Sequence, residues 1–325
     1  MPQHTAAAAR LRVAYSAGYT VPLPEGHRFP MGKFLALRRI LERDRIIRPG
    51  GVVEPAEAAW EDLALVHTPR YLHKLRHGAL GRAEERRMGL PWSSALVRRS
   101  RLAVRGTVNA AWMALEDGVA ANLAGGTHHA FPDHGEGFCV LNDVGVAVRV
   151  LRRGGWIRRS LFVDLDVHQG NGTAAVFADD PRTFTFSMHG AGNYPFRPTP
   201  SDLDVALGDG TGDEEYEAAL RRVLPEVVSR SRPDVVFYLG GVDVVAGDRF
   251  GRLALTPAGL ERRDRFVIET VRGEGLPLAL LLSGGYAETP ERTAELHAIA
   301  HRTALEVEAA ARAGGRPDGG MRATA

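Results

Sequence analysis

The chain has one cysteine, Cys139, only two lysines, Lys33 and Lys74, and almost no net charge. A single cysteine excludes an intrachain disulfide and a cysteine-rich zinc site. With 41 basic against 39 acidic residues the formal charge is +2, too little for a dedicated nucleic-acid or anionic-membrane binder. The pI of 8.8 reflects arginine standing in for lysine, so Arg98-Arg99 and Arg158-Arg159 read as solvated helix faces rather than a phosphate-binding patch. No apolar run reaches membrane-spanning length and the N-terminus lacks a signal-peptide core, so the expectation is a soluble cytoplasmic protein. Two enzyme signatures are also missing. No Gly-x-Gly-x-x-Gly follows a strand, and Gly-x-Ser-x-Gly is absent, which disfavours dinucleotide dehydrogenases and serine hydrolases. The run Gly208-Asp209-Gly210-Thr211-Gly212 follows only a weak strand and reads as a flexible turn.

What the sequence does have is enough apolar material, 44% over 325 residues, for one large core. After the Ala-rich residues 1–10, expected to be disordered, Leu11–Tyr15 reads as a strand and Lys33–Arg45 as an amphipathic helix ended by Pro49-Gly50-Gly51. Ala56–Val66 and Pro69–His77 read as helices, and Ser93–Glu116 as a long one, broken or bent near Gly106. From Val119 the rhythm becomes strand, loop, helix. Strands are expected at Val119–Leu123, from Leu161, at Arg182–Ser187, Val235–Leu239 and Pro277–Leu282. Helices are expected at Asn142–Arg152, Asp213–Arg230, Pro257–Arg272 and Pro290–Ala311. Residues 314–325 read as a disordered tail. Near-continuous Val, Leu and Phe in strands that alternate with helices predict a parallel sheet covered on both faces, in one domain over residues 11–313.

The stretch that needs most explanation is Leu161 to Thr173. As a strand it would put Asp164, Asp166 and His168 on one face and Val163, Leu165 and Val167 on the other. Three polar groups in a hydrophobic strand are costly unless paired, hydrogen-bonded or metal-bound. In parallel sheets, functional groups collect in loops after the strands, and here each strand runs into a polar or glycine-rich segment. Asp243, on one such loop, is the natural third ligand beside Asp166 and His168, although Asp248 lies nearby and either carboxylate could cap a turn. Three ligands of Asp and His type leave room for water and substrate, as in catalytic zinc sites. His128-His129 follow Gly125-Gly126-Thr127, and each has a candidate orienting partner, Asp164 or Asn171. Histidines with partners of different charge should hold different protonation states. Ser283-Gly284-Gly285-Tyr286 would present a tyrosine hydroxyl able to stabilise an oxyanion.

Five motifs occur in order: Gly-Gly-x-His-His-Ala at 125–130, Gly-Phe-Cys at 137–139 followed by Asn142-Asp143, Val-Asp-Leu-Asp-x-His at 163–168, Gly-Val-Asp at 241–243 and Gly-Gly-Tyr at 284–286. Together they resemble the zinc-dependent histone deacetylase family of acyl-amine amidohydrolases. Leu23–Pro30 and Tyr194-Pro195-Phe196 are most similar to its bacterial branch near class IV. The resemblance implies an α/β arginase–deacetylase fold, with a central, mostly parallel sheet of about eight strands and helices on both faces. It implies Zn²⁺, or Fe²⁺ in the cell, held by Asp166, His168 and Asp243, with water acidified by the ion as nucleophile. His129 would be general base and then acid, with His128 beside it paired to Asp164, Asn171 orienting His129, and Tyr286 polarising the carbonyl. Phe138, Tyr194, Gly137 and Gly285 would wall a narrow channel for an acylated lysine or acylated small amine. A structural K⁺ would sit against main-chain oxygens of Asp164, Asp166 and His168 and against Ser187. Class I relatives carry aspartate where this chain has Asn171, so a less basic His129 is expected here.

Two alternatives share the fold. A two-manganese ureohydrolase needs a carboxylate two residues after His168 and another two after Asp243, where this chain has Gly170 and Val245. A non-catalytic acyl-lysine-binding module would be signalled by loss of Tyr286, a ligand or the histidine pair, and none is lost. Oligomeric state is not readable from the sequence.

Overall fold

A computed structural model describes residues 11–313; the expectations for 1–10 and 314–325 lie outside the described residues. Eight strands form one sheet. In chain order they are β1 (Leu11–Ala14), β2 (Ile47–Val53), β3 (Val119–Asn122), β4 (Ser160–Asp164), β5 (Thr183–Gly190), β6 (Leu203–Leu207), β7 (Val235–Leu239) and β8 (Leu278–Leu281). Across the sheet the order is β2-β1-β3-β8-β7-β4-β5-β6, and every pairing is parallel, where a mostly parallel sheet was expected.

Period-two alternation explains the two cores. Leu161, Val163, Val236, Tyr238, Leu278 and Leu280 point to one face. There they meet the helices α1 (Lys33–Arg43), α8 (Asp213–Ser231), α9 (Pro257–Gly273) and α10 (Pro290–Ala313). Phe162, Phe237, Leu239, Ala279 and Leu281 point to the other face, against α5 (Ser94–Asp117), α6 (Asp143–Arg153) and α7 (Asn171–Phe177). A sheet buried on both sides needs no polar face, which is why its inner strands lack one, while the edge strands β2 and β6 expose part of theirs.

Several expectations need correction. Strand β2 runs through Pro49-Gly50-Gly51, which had read as a terminator; the ladder shifts register between Leu11 and Val13 to take up the irregularity. Of Ala56–Val66 only α2 (Trp60–Leu63) is helical, α1 stops at Arg43, and α3 (Pro69–His77) is followed by an unexpected α4 (Arg82–Met88). Helix α5 is not broken at Gly106. A Cβ there would lie 2.1 Å from the Tyr19 hydroxyl, so glycine serves a close contact rather than a break. Most consequential, β4 ends at Asp164, so Asp166 and His168 do not alternate along a strand. The Asp164 carboxylate accepts from the Asp166 N–H at 3.2 Å, and the Asp166 carboxylate from the His168 N–H at 2.9 Å. These successive side-chain-to-backbone turns peel the chain off the ladder.

The sheet's middle positions the site. Asn122, Leu281, Leu239 and Asp164, the last residues of β3, β8, β7 and β4, lie in register across four adjacent strands. Their following loops therefore leave the sheet side by side.

Candidate active site

Those four loops carry the expected residues. The loop after β3 holds His128 and His129 and is tied to the start of α6. Asp143 accepts from Gly126 N–H at 3.1 Å and Thr127 N–H at 2.7 Å, while Asn142 caps the helix and donates to Ala130 O at 2.9 Å. The loops after β4, β7 and β8 are stitched together through two carboxylates. Gly284 N–H donates to Asp166 Oδ2 at 2.6 Å, and Val167 N–H to Asp243 Oδ1 at 3.0 Å.

Asp166, His168 and Asp243 form one buried cluster whose ligand atoms lie within 4.8 Å of one another. Asp248 does the other job, accepting from the N–H groups of Phe250, Gly251 and Tyr286. The cluster fits a cation. Asp243 Oδ2 is buried without a hydrogen-bond partner, 3.3 Å from His168 Nδ1. Burial and the neighbouring Asp166 push the Asp243 carboxyl upward, and the adjacent His168 offsets them only in part, so the cluster favours added positive charge. A Cβ on Gly284 would stand 1.9 Å from Asp243 Oδ2 and 2.6 Å from Asp166 Oδ2, so only glycine passes so close. Carboxylate and imidazole donors around one open position suit Zn²⁺ or Fe²⁺. Gly170, where a second metal would need an acid, has no room for one: its Cβ would lie 2.5 Å from Asp164 Oδ2.

The two histidines have different partners. His128 Nδ1 lies 2.7 Å from Asp164 Oδ2 and His129 Nδ1 lies 2.6 Å from Asn171 Oδ1, with the rings 4.1 Å apart between centroids. Burial alone would lower His128, but the charges of Asp164 and Asp166 outweigh it and lift the imidazole to about 9. His129 has no such support. Burial and then the charges of His128 and His168 hold it well below the ordinary histidine value. The Tyr286 hydroxyl is pushed up by burial and by Asp166 and Asp243, so it stays a proton donor.

His128, His129, Asp166, His168, Gly137, Phe138, Tyr194 and Tyr286 line one cavity of about 340 Å³. Phe138 stands 5.8 Å from the Tyr286 ring, and Tyr194 stands edge-on to His129 at 5.1 Å. Gly137 packs on His129 with φ +54°, where a Cβ would meet His129 Cδ2 at 2.5 Å. Gly285, expected on the channel wall, does not line this cavity. It faces Val242, Thr293 and His297, and Gly284 takes the wall position. Ser187 lies opposite Asp164 on the neighbouring strand, its hydroxyl 3.0 Å from His189 Nδ1.

Sequence reasoning missed four supporting residues. Lys33 and Arg99 line the cavity as buried cations, and Lys33 Nζ donates to Ser283 O at 3.2 Å and Gly285 O at 3.4 Å. Arg263, fully buried, donates to Leu165 O at 3.2 Å and Gly241 O at 2.7 Å, gripping both ligand-bearing loops. Glu136 accepts from Asn171 Nδ2 at 2.9 Å. The lysine had one available signal, being one of only two in the chain.

Comparison with known proteins agrees with this geometry. Residues 27–302 match the histone deacetylase domain. The chain belongs to the histone deacetylase family. An uncharacterized protein of Picosynechococcus sp. is 47% identical over 297 residues, covering 91% of this chain and 98% of that protein. Histone deacetylase 2 of Arabidopsis thaliana is 33% identical, over 87% of this chain and 76% of its own length. The acetoin utilization protein AcuC of Bacillus subtilis is 31% identical, over 74% and 68%. The crystal structure of the HDA15 HD domain superposes with a TM-score of 0.74 at 22% identity, covering 91% of this chain and 90% of that one. The fold is thus the arginase–deacetylase fold, and membership in the histone deacetylase family indicates a deacetylase-type hydrolase. No helix among the described residues is long and apolar enough to cross a membrane.

Proposed function

We propose that the protein hydrolyses the amide of an N-acyl amine, an acylated lysine or an acylated small amine, as a one-metal deacylase. The observation that carries this reading is the convergence on a single cavity of Asp166 and His168, with Asp243 clustered behind them, a weakly basic His129 and Tyr286. Zn²⁺, or Fe²⁺ in the cell, held by the three ligands would polarise the acyl carbonyl and acidify water.

The chain's own residues supply the proton traffic. His129, uncharged at neutral pH, accepts a proton from the attacking water through Nε2 and returns it to the departing nitrogen as the C–N bond breaks. His128, held charged by Asp164, keeps its neighbour from becoming too basic to release that proton. Tyr286 donates its hydroxyl hydrogen bond to the acyl oxygen as negative charge develops there. Phe138 and Tyr194 wall the channel that would hold an aliphatic chain. The reading includes a K⁺ site at the end of β4, against the main chain of Asp164, Asp166 and His168 and the hydroxyl of Ser187, supported by the Asp164–Ser187 register. It also carries a cytoplasmic location and no nucleic-acid partner, supported by the near-zero net charge and the single, buried Cys139.

A panel of acyl-lysine peptides and acylated polyamines, incubated with metal-reconstituted enzyme, tests the reading. Release of carboxylate and free amine from at least one class is expected. No turnover of any of them, with metal occupancy confirmed, would overturn it.

A further inference from the structure

The partner of His129 is neutral, yet a carboxylate stands directly behind it. Asn171 Oδ1 faces His129 Nδ1 and also accepts from Gly172 N–H at 3.0 Å, while Asn171 Nδ2 donates to Glu136 Oε1 at 2.9 Å. The two flanking partners are one-way groups. A backbone N–H only donates and a carboxylate only accepts, so together they fix which end of the amide is oxygen. Because Asn171 presents oxygen to His129, the bonded Nδ1 must carry the imidazole proton, and Nε2 is the nitrogen left free to accept one.

Glu136 is itself well held. It opens a tight turn in which Gly137 and Phe138 have φ +54° and +65°, and Glu136 and Cys139 exchange both backbone hydrogen bonds, at 2.9 and 2.8 Å. Its carboxylate also accepts from the Tyr194 hydroxyl and lies 3.3 Å from His134 Nε2. These donors outweigh burial and hold its carboxyl down at about 2, so it remains an acceptor at any working pH.

We propose that Glu136 is a positioning residue for the hydrolysis, locking the Asn171 amide so that His129 is protonated on Nδ1 and accepts through Nε2. This rests on the hydrolase reading above for its catalytic consequence, but not for the tautomer itself. With Glu136 in place, a flipped amide would set oxygen against carboxylate and NH₂ against the Gly172 N–H, losing one charge-assisted and one neutral hydrogen bond. Without Glu136 only the Gly172 contact opposes the flip. The same geometry makes Asp at position 171 incompatible with Glu136, since two carboxylates would face each other with no donor between them.

The test uses ¹⁵N-histidine-labelled protein, with and without metal, in wild type, Glu136→Gln and Glu136→Leu. The His129 signal is assigned by its loss in His129→Asn. Wild type and Glu136→Gln, whose amide oxygen can still accept, should show the Nδ1–H tautomer. Glu136→Leu should show mixed tautomers, a fall in kcat of about 10- to 100-fold with KM little changed, and an altered acid limb of the pH profile. Asn171→Asp should regain activity when combined with Glu136→Gln. A Glu136→Leu protein with the wild-type tautomer and kcat would overturn the proposal. So would a Glu136→Gln protein as impaired as Glu136→Leu, because charge rather than acceptance would then matter. If no variant hydrolyses any substrate, the hydrolase reading fails while the tautomer measurement still decides the role of Glu136.

Discussion

Asn171 is where one side chain sets the chemistry of another. Replacing it with aspartate, together with Glu136→Gln so that no second carboxylate opposes it, puts a negative charge 2.6 Å from His129, which favours the imidazolium and raises its pKa. A base must be unprotonated to act, so the acid limb of the pH–rate profile should move to higher pH in Asn171→Asp/Glu136→Gln than in Glu136→Gln alone; an unmoved limb would contradict the assignment of His129. At the ligands, His168→Ala or Asp243→Ala should lose bound zinc by elemental analysis of the purified protein, and retention of zinc in either would refute the ligand set. Gly284→Ala adds a single carbon against Asp243 and Asp166 and should weaken zinc by about 10- to 100-fold in a competition titration. The residues legible in the sequence were those with unusual side chains in unusual company: Asp166, His168, the histidine pair, Tyr286. Glu136 and Arg263 were not legible, because a glutamate in a loop and an arginine on a helix look like surface until the fold buries them. Gly285 was misplaced for a related reason, since which of two adjacent glycines faces a cavity depends on backbone rotation and not on residue type.

At the level of elements, long periodic helices and fully apolar strands were readable, and short or irregular pieces were not. Strand β2 hid behind Pro49-Gly50-Gly51 because an edge strand tolerates a proline and glycines that a central strand would not. Helix α4 has seven residues, RAEERRM, with one buried apolar side chain, too little pattern to stand out. The sequence also suggested a break in α5 at Gly106, where tertiary contact overrides local preference. This permits a test in which two effects have opposite sign. Helix propensity alone says Gly106→Ala should stabilise by about 0.5–1 kcal/mol. Overpacking against Tyr19 and Asn122 costs about 1–3 kcal/mol, so we expect net destabilisation in urea melts. A stabilised variant would mean the Tyr19 side chain yields easily.

For the molecule as a whole, acid should be destabilising through histidines folded in their neutral form. Burial lowers His67 to about 4, despite its bond to Phe131 O, and its Nε2 accepts from the Asn142 N–H at 3.0 Å. His301 is likewise lowered to about 4 by burial. The unfolded chain protonates these groups near 6.5 and the folded one does not, so their contribution is whole above pH 6.5 and is lost as pH falls toward 4. The upper bound is about 3 kcal/mol for each. Urea midpoints should fall over that window, and less so in His67→Gln; a midpoint independent of pH would contradict both values. The parallel sheet and its two covered faces were legible because they follow from composition and rhythm summed over the whole chain. That the strand-end loops meet on one rim was legible too, but the order β3-β8-β7-β4 that aligns four strand ends was not, since strand order is a long-range property. That alignment brings Gly170 against Asp164 and His128, and the contact bears on how a second metal could be gained. A side chain at 170 would dislodge the Asp164–His128 pair before a second metal had both its ligands, since Val245 would also have to change. On this scaffold a second metal therefore calls for a shift of the loop backbone as well as new side chains.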